Sequence, residues 1–245
     1  MNKAPSFTAL ACVLARAGSQ RLPNKNKRLF AGKPLCQWSL EAALHCPHIT
    51  HTVLNTDDAE LLNLGDTLKI EYPTLFTYAR PSHLAQADTP THATWLDGLT
   101  NLPTPWPWQQ YTYLMLLQPT SPLRTAEQVS EALALAETSQ ANAVVSVTPA
   151  PHPSRWHMHL DESHRLDAFI QAEAWQTPPP AHTQEYRLNG AIYVVRTRAF
   201  EALPTLFQPV QTLAYPMDER SSVDIDTPAD WELATYYQKA IRLLQ

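Results

Sequence analysis

The sequence predicts an α/β fold with a mostly parallel, Rossmann-like sheet. Short apolar runs, of the kind buried on both faces of a parallel sheet, alternate with segments of helical periodicity. This alternation indicates βαβ crossovers. The 245 residues are 44% apolar, which is enough for one substantial core. We therefore expect a single domain over residues 1–245.

The predicted strands are the apolar runs of the chain. The first ends at a polar, cationic loop, and YTYLMLL is the strongest because it is long and almost wholly apolar. The predicted strands are Thr8–Ala15, Thr52–Asn55, Tyr111–Leu117, Ala143–Val147, Ala191–Val195 and Leu213–Tyr215.

The predicted helices begin at recognisable start signals. Thr125 is an N-cap residue followed by Glu127 and Gln128, and Thr227 is an N-cap followed by Pro228. The predicted helices are Pro34–Cys46, one that starts at Asp57-Asp58, Thr91–Leu99, Thr125–Thr138 and Thr227–Leu244.

The alternation breaks over residues 149–185, which we call the excursion. It is rich in proline and histidine, including Pro178-Pro179-Pro180, and is too short to bury a core of its own. Its histidines have no cysteine near them, so we expect solvated or interface side chains rather than a zinc site. Trp156 and Trp175 favour an interface between subunits, where aromatic residues are enriched.

Composition excludes several classes of function. The net charge of −5 argues against nucleic-acid and membrane binding, and no apolar run is long enough to span a bilayer. Three scattered cysteines predict reduced thiols and a cytoplasmic protein, and no signal peptide is predicted. Neither the Walker A motif nor GxGxxG is present, so phosphates would be held mainly by side chains.

Polar segments follow predicted strands at three places, residues 16–26, 118–124 and 221–226. Ligands of open parallel sheets bind beyond the carboxyl ends of strands, so we expect these segments to share one crevice. One is cationic and one holds Asp224 and Asp226, which favours a phosphorylated ligand with Mg²⁺. The i, i+2 spacing points both carboxylates the same way on an extended chain, although either could instead cap the last helix or pair with Arg220.

Five segments together carry a resemblance to a known family. They are LARAGSQRLPNKN, ARPSHLAQADTPT, LLQPTSPLR, YRLNGAIY and SVDIDTPADW, and they span most of the chain in family order. They resemble the CMP-sialic acid synthetases (acylneuraminate cytidylyltransferases). The resemblance implies the nucleotide-diphospho-sugar transferase fold and a dimerisation role for the excursion. It also implies a Mg²⁺-dependent reaction of CTP with an acidic nine-carbon 2-keto acid sugar, giving the CMP-sugar and pyrophosphate.

The same resemblance implies roles for individual residues. Basic side chains would hold the triphosphate, amides and arginines the sugar, and carboxylates the metal. The implied set is Arg16 and Lys25 for the triphosphate, Ser19 and Asn26 for phosphate and nucleotide, Arg80 for the cytosine and ribose side, Gln118, Arg187 and Asn189 for the sugar, Arg155 across a homodimer interface, and Asp224 and Asp226 for Mg²⁺. Arg21 receives no role.

The chain also departs from the family pattern. An arginine that many relatives carry before YRLNG is missing, and the cytosine contact near Thr91 and His92 is not identified. The sugar can therefore be sialic, legionaminic or pseudaminic acid. The alternatives are a synthetase for the eight-carbon acid Kdo and a catalytically weak nucleotide-binding relative.

Overall fold

A seven-stranded sheet organises the chain. The computed structural model describes residues 7–102, 104–160, 162–172 and 184–244. The strand order is β5-β4-β1-β6-β8-β7-β9, and β2 and β3 form a separate hairpin. The strands are β1 Ala9–Leu14, β2 Leu29–Phe30, β3 Lys33–Pro34, β4 His51–Thr56, β5 Leu75–Ala79, β6 Tyr113–Leu117, β7 Ala143–Pro149, β8 Tyr186–Arg196 and β9 Thr212–Pro216.

The prediction of a mostly parallel sheet is confirmed. Strands β5, β4, β1 and β6 are parallel to one another, and β7 is parallel to β9. Strand β8 is the exception, because it runs antiparallel to both β6 and β7. Strand β5, sequence LFTYA, was not predicted, since the run is only five residues long and all but Leu75 are at least partly exposed.

Helices cover both faces of the sheet. Leu40, Leu61 and Leu133, from three different helices, pack with alternate residues of β1 on one face. Trp95 and Phe200 pack on the other face. The helices are α1 Leu35–Leu44, α2 Ala59–Glu71, α3 Thr91–Thr100, α4 Ala126–Ser139, α5 Asp167–Gln171, α6 Thr197–Ala202 and α7 Pro228–Leu244. Thr125 caps α4 in a capping box with Gln128, as predicted.

The excursion leaves the sheet after β7 and returns at β8. Its two ends are joined where the Ala150 amide donates to the Glu185 carbonyl at 2.8 Å. Between them lie a single turn at Ser154–Trp156 and the short α5. Trp175 and the Pro178-Pro179-Pro180 run fall outside the described residues.

All three cysteines are buried and unpaired, in agreement with the prediction of reduced thiols. Burial raises the pKa of Cys12 to about 12, so this thiol is neutral and packs as a small apolar group. In the described part of the chain, no helix combines the length and the apolarity that crossing a bilayer requires.

Candidate active site

A cleft of about 380 Å³ opens beyond the carboxyl ends of β1 and β6. This is the edge at which parallel sheets bind ligands. The cleft is lined mainly by polar side chains from the loop after β1, from residues 80–94 and from the segment after β6, and Asp226 reaches it from the segment before α7. Seven predicted site residues line it, namely Arg16, Ser19, Lys25, Asn26, Arg80, Gln118 and Asp226.

The cationic loop is held in shape by the buried side chain of Asn26 and by a hydrogen bond to Asp57 outside the loop. The buried Asn26 amide donates to the Arg16 carbonyl at 2.8 Å, and the Ala17 amide donates to Asp57 Oδ1 at 2.9 Å. Asn26 thus supports the backbone that carries Arg16. Its predicted contact with the nucleotide stays a prediction.

Lys25 connects the loop after β1 to the segment before α7. Its ammonium group donates to Asp226 Oδ1 at 2.7 Å and to the Ile225 carbonyl at 2.8 Å. Its side chain is only 11% exposed. The partial burial strengthens this pair relative to a surface salt bridge.

A second cation contacts Asp226. Arg21 donates to Asp226 Oδ2 at 2.6 Å from an exposed side chain. Burial alone would raise the pKa of Asp226, but Lys25 and Arg21 outweigh it and bring that pKa below its ordinary value. Sequence reasoning gave Arg21 no role, because nothing in the loop's sequence shows which cation faces residue 226.

Asp224 differs electrostatically from Asp226. Burial raises its pKa, although a hydrogen bond from Thr120 acts in the opposite direction. Its Oδ1 is buried and has no hydrogen-bond partner among the described residues. A buried carboxylate oxygen without a donor is costly, so this atom is suited to a cation or a proton brought by a ligand.

The two aspartates fit a hard divalent cation. Mg²⁺ takes one or two carboxylates and completes its shell with water and substrate phosphates. Among the described residues, no group of three or more His, Cys, Asp or Glu side chains could hold a metal. The cap of α7 is formed instead by Thr227 and Asp230, and Asp226 pairs with Lys25 rather than Arg220, so neither structural alternative holds for Asp226.

Arg80 lies buried at the wall of the cleft. Its Nε donates to Asn55 Oδ1 at 2.7 Å, and its NH2 donates to the Asn55 carbonyl at 3.0 Å. Burial lowers the pKa of Arg80, while Asp57 acts in the opposite direction.

Gln118 and Asp224 are brought together at Gly190, which has a φ of +74°. A Cβ built there would lie 2.8 Å from Gln118 Oε1 and 3.8 Å from Asp224 Oδ2. Positive φ and close approach both require glycine. This glycine of the YRLNGAIY segment therefore keeps open the space between the amide and the carboxylate.

Arg124 is a second buried cation that sequence reasoning left without a role. It donates to the Ala191 carbonyl at 2.6 Å and to the Gln118 carbonyl at 3.3 Å. Burial lowers its pKa to about 9. It ties the end of β6 to β8 and so supports Gln118 from behind.

Three predicted sugar-binding residues lie outside the cleft lining. Asn189 points into the protein, where it bonds Ser146 and Ser222. The side-chain amide of Asn189 is already hydrogen-bonded, and the residue is only 2% exposed. Asn189 therefore supports β8, and the predicted contact between Asn189 and the sugar does not match this position. Arg187 is exposed on β8, and Arg155 lies in the excursion, where Nε and NH2 have no partner among the described residues.

Lys25→Met is expected to raise the pKa of Asp226, because the variant lacks the ammonium group that donates to Oδ1. With the native pKa held below 3.8, the pair stabilises the fold above that pH range, and this contribution is lost as pH falls through the lowered pKa. Carbon-detected NMR titration of the Asp226 carboxyl measures the pKa. Urea unfolding at pH values from about 2.5 to 6 measures the stability profile.

Lys27→Met is the matched control, since this neighbouring lysine pairs with Asp58 and Glu60. It should leave the pKa of Asp226 unchanged. The same pKa for Asp226 in the wild type and in Lys25→Met would contradict the assigned pair.

Known proteins are similar to this chain in sequence and in fold. A family described as Cytidylyltransferase matches residues 10–91, which include β1 and the cationic loop. CMP-N,N'-diacetyllegionaminic acid synthase of Legionella pneumophila is 31% identical, over 91% of this chain and 93% of that protein. N-acylneuraminate cytidylyltransferase of Escherichia coli is 30% identical over 94% of this chain, which spans 52% of that longer protein.

Among solved structures, CMP:2-keto-3-deoxy-manno-octonic acid synthetase complexed with CTP superposes with a TM-score of 0.67. The match covers 96% of this chain and 99% of that one, at 14% identity, and it shows the nucleotidyltransferase fold. The predicted fold class is thereby confirmed. The identity to the Legionella protein across nearly the full length of both chains shows that this chain belongs to the CMP-sialic acid synthetase family.

Proposed function

We propose that the protein activates an acidic nine-carbon 2-keto acid sugar with CTP, releasing pyrophosphate. One observation carries the proposal. Lys25 and Asp226, which are 201 positions apart in the chain, meet at 2.7 Å beside a cleft that Arg16 and Gln118 also line. Cations for a triphosphate, a carboxylate pair for a metal and an amide for a sugar thus lie at one edge of the sheet.

The chemistry is a single displacement at phosphorus. The 2-hydroxyl oxygen of the sugar forms a bond to the α-phosphorus of CTP, and the bond from that phosphorus to the bridging oxygen breaks. Pyrophosphate leaves with both bonding electrons. Such transfers depend on positioning and on charge stabilisation, which Arg16 and Lys25 would supply to the triphosphate and the departing pyrophosphate.

The hydroxyl proton needs an acceptor near the sugar. Asp224 fits this position, because its carboxylate faces Gly190 beside Gln118 and Oδ1 has no donor. Asp224 and Asp226 would hold Mg²⁺, which when bound neutralises charge on the triphosphate.

The sugar would lie on the Gln118 side of the cleft. The similarity to a legionaminic acid synthase supports a nonulosonic acid, and sialic and pseudaminic acids belong to the same class. Gln118 would hydrogen-bond the sugar, and Arg187 on β8 would contribute a cation. We place the reaction in the cytoplasm, which three buried, unpaired cysteines favour.

The decisive experiment measures pyrophosphate release from CTP and Mg²⁺ with a panel of acids. N-acetylneuraminic, legionaminic and pseudaminic acids test the proposal, and Kdo tests the eight-carbon alternative. We expect turnover with a nine-carbon acid. Turnover with Kdo alone, or CTP binding with no turnover on any acid, would overturn it.

The control for that assay is Asp226→Asn, which should lower kcat by roughly 10²-fold because it removes charge from the metal site. Asp66→Asn, on α2 and away from the cleft, should leave kcat unchanged. Equal kcat for Asp226→Asn and the wild type at saturating Mg²⁺ would remove Asp226 from the mechanism.

Gly190→Ala tests the sugar side separately. The added Cβ would displace Gln118, so kcat/KM for the sugar should fall at least about tenfold while the Kd for CTP changes less than about twofold. Gly32→Ala is the matched control, since Gly32 also has positive φ but its Cβ would meet nothing within 4 Å. An equal loss of kcat/KM in Gly190→Ala and Gly32→Ala would show that backbone strain alone is responsible.

We also propose that the protein is a homodimer formed through the excursion and β8. Seven large apolar side chains of the described residues are exposed there, as is typical of an interface between subunits. They are Trp156, Met158, Leu160, Leu166, Ile170, Tyr186 and Leu188. In this arrangement Arg155 would reach the partner's sugar site.

Sedimentation at micromolar concentration tests the dimer. The wild type should sediment as a dimer, and Leu188→Glu should shift it toward monomer. Ile70→Glu, an exposed apolar position on α2, is the matched control and should have no effect. A fully active monomeric wild type would contradict the proposal.

A further inference from the structure

In the described part of the chain, Asn55 alone accepts hydrogen bonds from the Arg80 guanidinium in the cleft wall. Asn55, at the carboxyl end of β4, accepts from Nε through its side chain and from NH2 through its carbonyl. The Arg80 amide in turn donates to the Thr56 carbonyl at 2.8 Å. These bonds leave NH1 as the guanidinium nitrogen without a hydrogen bond within the described chain.

The partner of this buried cation is neutral. Arg80 is 8% exposed and Asn55 is 2% exposed, so neither group is well solvated. An amide orients the guanidinium through hydrogen bonds and leaves its positive charge uncompensated at the point of contact. A carboxylate at residue 55 would form a buried ion pair and reduce the charge available to a ligand.

Helix α3 confines the Asn55 amide. The Asn55 Nδ2 donates a hydrogen bond to the Thr94 carbonyl of this helix at 3.4 Å. A Cβ at Gly98 would come within 2.5 Å of that same Nδ2. Glycine is unfavourable in the interior of a helix. Here the lack of a side chain at Gly98 leaves the space that the Asn55 amide occupies.

We infer that Asn55 and Gly98 are positioning residues that hold the Arg80 guanidinium toward the nucleotide in the cleft. The inference rests on the proposed function, because it takes CTP as the ligand that Arg80 contacts. Asn55 acts through Arg80 and touches no substrate. Gly98 acts one step further away, by allowing the amide to lie against α3.

Calorimetric titration of CTP into the variants tests this chain of contacts. Asn55→Ala should raise the Kd about tenfold, as expected when a charged group loses its orienting hydrogen bonds. Arg80→Ala should raise it at least as much. The double variant should match Arg80→Ala within about twofold, because the two changes remove the same interaction.

Gly98→Ala tests the same contacts without removing a polar group. The added methyl should push the Asn55 amide away and raise the Kd for CTP. Gly65→Ala is the matched control, since its Cβ in α2 would lie 2.4 Å from a Thr77 methyl and impose a similar clash outside the cleft. This control should bind CTP like the wild type.

A second readout does not depend on CTP. The Arg80 Nε–H NMR signal should be protected from exchange in the free wild type and lost in Asn55→Ala, with unchanged far-UV circular dichroism. Additive losses in the double variant, or an unchanged Kd in Asn55→Ala, would overturn the inference. A protected signal in a wild type that does not bind CTP would instead overturn the proposed function and leave the Asn55–Arg80 contact standing.

Discussion

The contact between Lys25 and Asp226 is the constraint on which the site depends. It joins the loop after β1 to the segment before α7. Because Lys25 also donates to the Ile225 carbonyl, it holds the backbone that carries the aspartate pair. The Ile225 amide donates to the Thr120 carbonyl at 2.8 Å. This bond attaches the segment after β6 to the segment before α7. The half-buried Lys25 ammonium group and this backbone hydrogen bond together join all three predicted polar segments at one cleft.

Two further cations, Arg80 and Arg124, are buried without a carboxylate in hydrogen-bond contact in the described part of the chain. Carbonyl and amide oxygens orient them, so no carboxylate of the described residues neutralises their charge through a direct hydrogen bond. Arg124 braces Gln118 from behind, and Arg80 faces the cleft. Within the described chain, the cleft is lined by four cations, Arg16, Arg21, Lys25 and Arg80, and by one carboxylate, Asp226, although the chain is acidic overall, and this excess of cations suits an anionic nucleotide.

Much of this arrangement can be predicted from sequence because apolar runs reveal buried strands and polar residues mark their ends. The direction of β8 cannot be predicted from sequence, since an apolar run looks the same in either orientation. Nor does the sequence show that Asn189 turns inward to Ser146, because a polar residue on a strand can face either side. Arg21 was missed for a related reason. Its partner Asp226 is 205 positions away, and only the fold brings the two together.

A crystal structure with CTP and Mg²⁺, without sugar, tests the central claim most directly. The account predicts that the triphosphate lies within hydrogen-bond distance of Arg16 and Lys25, with the metal at Asp224 and Asp226 and the nucleoside toward Arg80. Lys25 should then be shared between phosphate and Asp226. A nucleotide bound elsewhere, with Lys25 and Asp226 still paired across an empty cleft, would contradict it.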